Sequence, residues 1–307
     1  MLRRNLLKNI GLLAAGLSLP NLTNAASPEK PSRVLRIAHV TDIHVQPHLW
    51  AAKGMEKCLH HIQDLDIRPD VIFNGGDSVM GAGGISKHKA SREWNLFHEV
   101  LRNENSLPLF SCIGNHDIWA NKEHNALFGD GKKWAMDEFK LPERYYSFDK
   151  NGWHFIFLDS IHPQEDGFRY YARLDDKQFH WLENDLRNVD PDTPVMIVSH
   201  IPILAACVFL DGDTLKDNEW HVPGSWMHTD AAKLVKLFTR HKNVRLSISG
   251  HTHLLDRVEY NGVSYCCNGA VCGNYWFGKT QETRAGYAII DLFDDGSFKN
   301  EYVSYRK

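Results

Sequence analysis

Five short clusters in this chain hold residue types that bind metals and move protons. They are Asp42-Ile43-His44, Gly75-Gly76-Asp77, Gly114-Asn115-His116-Asp117, Ser199-His200 and Gly250-His251-Thr252-His253. Carboxylate oxygen, imidazole nitrogen and amide oxygen gathered in one place suit Mn, Fe or Zn. A carboxylate can serve as the shared anion between two dications, while an amide such as Asn115 binds through oxygen without adding charge. Two such ions, about 3.5–4 Å apart, lower the pKa of a water between them, screen phosphoryl oxygens and align attack at phosphorus. That is the chemistry of phosphoester hydrolysis. An imidazole beside the ions can donate a proton or a hydrogen bond as charge develops. Singly the clusters say little, since Asp-x-His is common and Gly-Asn-His-Asp serves as a turn. As an ordered set they are specific, because each one follows a short apolar run.

Those runs are Val34–Val40, Val71–Phe73, Leu109–Ile113, Val195–Val198 and Leu246–Ile248, with His154–Leu158 as a sixth. Each is of strand length and rich in Val, Ile, Leu or Phe, and near-continuous apolar runs suit strands covered on both faces. Helical periodicity lies between them at Ala51–Leu65, Trp94–Leu101, Asp176–Val189 (capped by Asp175 or Asp176) and Thr229–Phe238. Two hairpins close the chain, one turning at Asn261-Gly262 and one at Asp295-Gly296. The pattern predicts one layered α/β domain over residues 34–307 with antiparallel strands added. In open α/β sheets the loops at the carboxyl ends of strands build the site. The five clusters are therefore expected to converge. Glycines before Asp77, Asn115 and His251 permit sharp turns and close backbone approach.

The ordered set resembles the calcineurin-like metallophosphoesterases, which carry Asp-x-His, Gly-Asp, Gly-Asn-His-Asp/Glu, a lone His and Gly-His-x-His in this order. The resemblance covers roughly Val34 to His253 and, more loosely, the C-terminal hairpins. It implies a four-layer α-β-β-α sandwich of two mixed sheets, and a two-metal site. Asp42, His44 and His253 would hold one metal, Asn115, His200 and His251 the other, and Asp77 would bridge them. His116 would act on the phosphate or leaving group without ligating. Asp117 is placed as a carboxylate that orients His116. Met80 stands where purple acid phosphatases carry a Tyr ligand, and Asp77-Ser78-Val79 lacks the Asp-Arg-Gly run of the protein Ser/Thr phosphatases. The chain looks most like the bacterial cyclic-nucleotide phosphodiesterase-like branch. The expectation is an exported enzyme that hydrolyses phosphodiesters through a metal-bridging hydroxide. A general phosphomonoesterase or nucleotide phosphatase on the same site is the alternative, and a non-catalytic metal-binding secreted protein a weaker one.

Composition bounds the rest. At 43% hydrophobic and 24% charged, the 307 residues can bury a core. A formal charge of -3 leaves no basic footprint, so no nucleic-acid platform is expected and the substrate is a small phosphoester. Mean hydropathy is -0.40. Residues 1–25 read as a cleaved leader: Arg3, Arg4 and Lys8, then apolar Ile10–Leu19, then Thr23 and Ala25 before the cleavage point. Arg3-Arg4-Asn5-Leu6-Leu7-Lys8 resembles a twin-arginine signal, which implies the twin-arginine export machinery as a partner and a periplasmic or secreted location. A Pro-containing linker spans 26–33. No Cys lies near the cleavage region, so no lipid anchor is expected. The six cysteines are expected to be mostly free and buried, with Cys266 and Cys267 on opposite faces of a strand. The segment Ala205–His228 is expected to wall the cleft, with His48, His221 and His228 as loop residues able to line it. In the aromatic loop Gly273–Phe277, Tyr275 and Trp276 are read as core packing, with stacking on a base or aryl group as the alternative. Nothing in the sequence speaks to oligomeric state.

Overall fold

The computed structural model describes residues 30–48, 50–81, 83–124 and 128–306. The expected leader, 1–25, and the start of the linker lie outside the described residues. From Pro31 onward the described residues cluster as one compact unit. In chain order the first half contains β1 (Arg33–Val40), α1 (Ala51–Gln63), β2 (Val71–Asn74), α2 (Lys87–Glu104), β3 (Leu109–Ser111), α3 (Phe128–Phe139), β4 (Tyr146–Lys150) and β5 (Trp153–Leu158). There follow β6 (Ile161–Pro163), β7 (Tyr170–Ala172), α4 (Asp176–Asn188), β8 (Val195–Ser199), β9 (Leu215–Lys216), β10 (Glu219–Trp220) and α5 (Ala231–Arg240). The chain ends with β11 (Val244–Ser249), β12 (Leu255–Tyr260), β13 (Val263–Asn268), β14 (Tyr287–Phe293) and β15 (Phe298–Val303).

Two large mixed sheets carry the architecture, in the orders β15-β14-β1-β2-β3 and β12-β13-β11-β8-β5-β4. The first has β1, β2 and β3 parallel, with β14 antiparallel to β1. The second has β5, β8, β11 and β13 parallel, with β4 and β12 as antiparallel edges. Side chains alternate along each strand, and that alternation sorts the core into layers. Leu35, Ile37 and Phe73 of one sheet pack between the sheets against Phe155, Phe157, Met196 and Ile248 of the other. Their neighbours Ala38, Val40 and Ile72 face α1 and α2. On the far side, Ile156, Leu158 and Ile197 face α4 and α5. The result is the layered α/β domain that the sequence pattern predicts, in the α-β-β-α arrangement that the family resemblance implies.

Local chemistry explains most element ends. Asp175 caps α4 by accepting from the Gln178 amide at 2.8 Å, and Ser86 caps α2 by accepting from Lys89. The latter helix begins earlier than the apolar stripe Trp94–Leu101 indicates, because its first turns are solvated and carry no stripe. Besides the short strands β6, β7, β9 and β10, two longer elements went unforeseen, α3 and β4. The first buries Lys132 with its Nζ 2.6 Å from Asp159, and the second is an edge strand of half-buried residues, so neither shows an apolar period. All six cysteines are buried and free. Cys266 points between the sheets and Cys267 the other way, as alternation requires. Among the described residues, no helix is long and apolar enough to cross a membrane.

Candidate active site

The carboxyl ends of β1, β2 and β3 in one sheet and of β8 and β11 in the other meet at one edge of the sandwich. There the loops after β1 and β2 zip together, with the Asp42 amide donating to Gly76 O at 3.0 Å and the His44 amide to Asp77 O at 2.9 Å. Packing is tight enough that glycine is required. A Cβ on Gly114 would lie 2.2 Å from Asp77 Oδ1, and one on Gly250 would lie 2.2 Å from Asp42 Oδ2. Five clustered residues, Asp42, His44, Asp77, His251 and His253, hold left-handed backbone with φ between 48° and 69°. That conformation costs side-chain-bearing residues of order 1–3 kcal/mol each and collects at functional sites.

Donor atoms converge on two points. Around the first, His44 Nε2 lies 3.1 Å from His253 Nε2, which lies 3.3 Å from Asp42 Oδ1. Around the second, His200 Nε2 lies 3.1 Å from Asn115 Oδ1 and 3.2 Å from Asp77 Oδ2, with His251 in the same group. Asp77 Oδ2 is also 3.6 Å from His44 Nε2, so this carboxylate reaches both points. Two ligands each about 2.0–2.1 Å from one ion are separated by roughly 2.9–3.4 Å at ordinary coordination angles. The four shorter spacings fall in that range. The far ring nitrogens are also fixed: His200 Nδ1 donates to Gly75 O at 2.8 Å and His253 Nδ1 to Gly273 O at 2.7 Å. Carbonyl partners of this kind turn Nε2 inward as a lone pair, as metal-binding imidazoles require. The residues present therefore fit a pair of divalent ions.

The electrostatics of these side chains agree with the geometry. Burial by itself would raise Asp77, but His200, His116 and His44 outweigh it and hold the carboxyl well below its usual range. Burial opposes the charging of His200 and His253, yet Asp77 lifts the first to about 9 and Asp42 lifts the second to about 12. His251 and His44 lack a dominant carboxylate partner, so burial pushes them down to about 3 and about 4.

His116 lies at the edge of this cluster, its ring 4.6 Å from that of His44. The backbone amide of His116 donates to Asp77 Oδ1 at 2.7 Å, and its ring Nδ1 donates to Met80 O. Asp117 does not orient it, contrary to the sequence-based expectation. The Asp117 carboxylate instead accepts from the backbone amides of Gly114 (2.8 Å), Asp77 (2.9 Å) and Ser78 (2.8 Å). It is a buried brace that ties the β2 and β3 loops together. Burial and the neighbouring charge of Asp77 raise its pKa to about 7.

A cavity of about 350 Å³ opens over the donor atoms, walled by Trp226, Tyr170 and Tyr275. Trp226 comes from the segment expected to line the cleft. The aromatic loop divides: the Tyr275 ring lies 4.8 Å from His44, whereas Trp276 is core and donates its indole N–H to His44 O at 3.0 Å. His228 is buried behind the site between Asp230 Oδ1 (2.9 Å) and Ser199 Oγ (3.3 Å). His221 is exposed, and neither it nor His48 lines the cavity. The aromatic loop belongs to a sixth strand-end loop, the one after β13, whose hold on the donor residues had no sequence signal. Its Cys272 amide donates to Asp42 O at 3.1 Å, and its Gly273 carbonyl fixes His253. Tyr170, on the short β7, had no signal at all.

Fold and site together define a class. The chain superposes on a dimetal phosphatase from Danio rerio with a TM-score of 0.64 at 13% identity, over 90% of this chain and 98% of that one, which is a likeness of fold. The family model for calcineurin-like phosphoesterases matches residues 35–255, and the chain belongs to that family. It is a metal-dependent phosphoester hydrolase. Over 288 residues it is 24% identical to a 3′,5′-cyclic-nucleotide phosphodiesterase of Nostoc sp., covering 88% of this chain and 93% of that protein. Over 274 residues it is 23% identical to the 3′,5′-cyclic adenosine monophosphate phosphodiesterase CpdA of Escherichia coli, covering 87% and 88%.

Proposed function

We propose that the protein hydrolyses phosphodiesters, and at least as well as phosphomonoesters. Asp42, His44 and His253 would hold one divalent ion, Asn115, His200 and His251 the other, and Asp77 would be shared. When bound, such ions supply Lewis-acid polarisation of the phosphoryl group and activation of water. The observation that carries the diester reading is the lining of the cavity over the donors. Among the described residues, that lining includes no Lys or Arg and does include the carboxylate of Asp211. A monoester brings up to two negative charges and a diester one, so a wall without Lys or Arg favours the diester. Lys279 and Arg284, the nearest basic candidates in sequence, line a separate cavity with Arg306. Similarity to cyclic-nucleotide phosphodiesterases supports the same reading.

The residues divide the remaining work. Asp77 Oδ1 fixes the His116 backbone and Met80 O fixes its ring, which leaves Nε2 as the nitrogen available to substrate. In its cationic form, that nitrogen donates to the leaving oxygen as charge builds there. Tyr275 and Trp226 cover the organic part of the substrate and exclude water. The metals would be drawn from Mn, Fe and Zn, which the mixed oxygen and imidazole donor set accepts. We also assign residues 1–25 as a leader that takes the protein through the twin-arginine machinery to the periplasm, supported by the Arg3-Arg4 run and the short apolar stretch after it.

The test is kcat/KM for matched aryl monoester and diester pairs, with Mn supplied, across pH 6 to 9. Diesters are expected to be turned over at least as well as monoesters. A monoester preference above tenfold rejects the diester reading and leaves a general phosphatase on the same site.

A further inference from the structure

A second cleft, of about 1010 Å³, opens beside the first and shares Asn115, His116 and Tyr170 with it. Asn115 and His116, two of the three, stand beside the donor atoms, so the phosphate position borders both spaces. One side of the second cleft is backbone-rich, formed by Met80, Gly83 and Ile85 in the loop after β2. The other side is aromatic: Phe128, Phe168 and Tyr170, with the Phe128 and Tyr170 ring centroids 6.0 Å apart. Several charged groups along it are already engaged. Arg169 Nε donates to Asp166 at 2.7 Å, Glu93 accepts from the Gly81 amide at 3.1 Å, and Lys122 Nζ sits 5.3 Å from the Phe168 ring centroid. With Lys122 over Phe168, the Phe128 and Tyr170 rings and the glycine backbone form the apolar part of a lining that also carries Glu123, Gln46 and Gln164, and that part suits a flat apolar group.

A monoester has one organic arm, and the 350 Å³ cavity over the donor atoms is large enough for it. A diester has two arms on one phosphorus, and the second must leave the phosphate past Asn115 and His116. We infer that the larger cleft is the subsite for the second ester arm of an open-chain phosphodiester, and that it selects an aromatic arm over a small alkyl one. The inference rests on the diester reading given above.

Binding tests it without passing through turnover. Dimethyl phosphate and methyl phenethyl phosphate differ only in one arm, and affinities from calorimetric titration of the Mn-loaded protein are taken only from samples in which phosphorus NMR shows the ester intact. The phenethyl diester is expected to bind at least tenfold tighter. Two variants locate the advantage. Gly83→Leu grows a side chain into the cleft, and a Cβ there meets nothing nearer than Ile118 O at 4.0 Å, so the fold has room for it. Phe168→Ser removes part of the aromatic wall. In each variant, shown to be folded by its melting transition, the advantage is expected to fall below threefold. The inference is overturned by a wild-type advantage under threefold, by no detectable binding of the phenethyl diester at millimolar concentration, or by an advantage kept in both variants. The last result would put the arm over Trp226 and Tyr275. A monoester preference in the kinetic comparison would reject the diester reading alone, since these titrations report on the cleft whichever ester is turned over faster.

Discussion

The Nε2 atoms of His44 and His253 stand 3.1 Å apart, although 209 residues separate them in the chain. Both residues hold left-handed backbone, with φ of 48° and 59°. Two strained residues from different sheets, aimed at one point, are what a metal centre needs and what a packed core has no reason to maintain.

Asp77→Ala removes the one carboxylate that reaches both donor groups. At least one of two metals is expected to be lost, and activity to fall by several orders of magnitude. Metal analysis of the purified variant decides the point. Two ions retained with near-normal turnover would exclude Asp77 as the shared ligand.

His116→Ala should behave differently, because it removes a partner of the reacting group and no metal donor. Metal content is expected to stay near two per chain while kcat falls about 10²–10⁴-fold. Loss of metal in this variant would mean that His116 is itself a ligand.

Asp117→Ala should act on stability, because three buried backbone amides lose their acceptor. Each unsatisfied donor costs about 1–3 kcal/mol, so a loss of at least about 3 kcal/mol is expected in urea unfolding. Asn, which retains one acceptor oxygen, should recover part of it. A reduced kcat with unchanged stability would instead restore Asp117 as the residue that orients His116.

His154 joins the second sheet to α4, with Nδ1 2.6 Å from Asp149 and Nε2 2.9 Å from Asp185. Burial opposes its charging, but the two carboxylates outweigh burial and raise its pKa above the usual histidine value. The stability this brings is present in full below about pH 6.5, the unfolded value, and fades as pH rises through the raised folded value. Asp149 is largely exposed, so solvent screening limits the effect to about 1 kcal/mol. His154→Gln is expected to melt about 2–4 °C below wild type at pH 6, with the gap closing by pH 9. An equal gap at both pH values would reject the charged pairing.

Changing Arg3 and Arg4 together to Lys should block export through the twin-arginine route. Fractionation of cells expressing the full chain, with the periplasmic yield measured, is the check. An unchanged yield would reject the twin-arginine reading.

The sequence by itself determined which strands would be covered on both faces, because a run such as Val195–Val198 has no polar face to offer water. It also located the clusters at strand ends and the glycines before them, since a turn and a close approach are local demands. From the apolar period it placed α1 and α4 to within about two residues. It could not see α3, whose buried Lys132 depends on Asp159 as a partner, nor the edge strand β4. Asp117 is the clearest case. Adjacency in the chain suggested His116 as its partner, but the turn at Gly114 carries its carboxylate beneath the amides of Asp77 and Ser78, 40 and 39 residues away. The loop after β13 is similar: it touches Asp42 and His253 only because β13 lies parallel beside β11. Hydrophobic period and backbone freedom are properties of a short window of chain. The partner of a buried carboxylate is set by sheet order and register, so only the tertiary structure decided it.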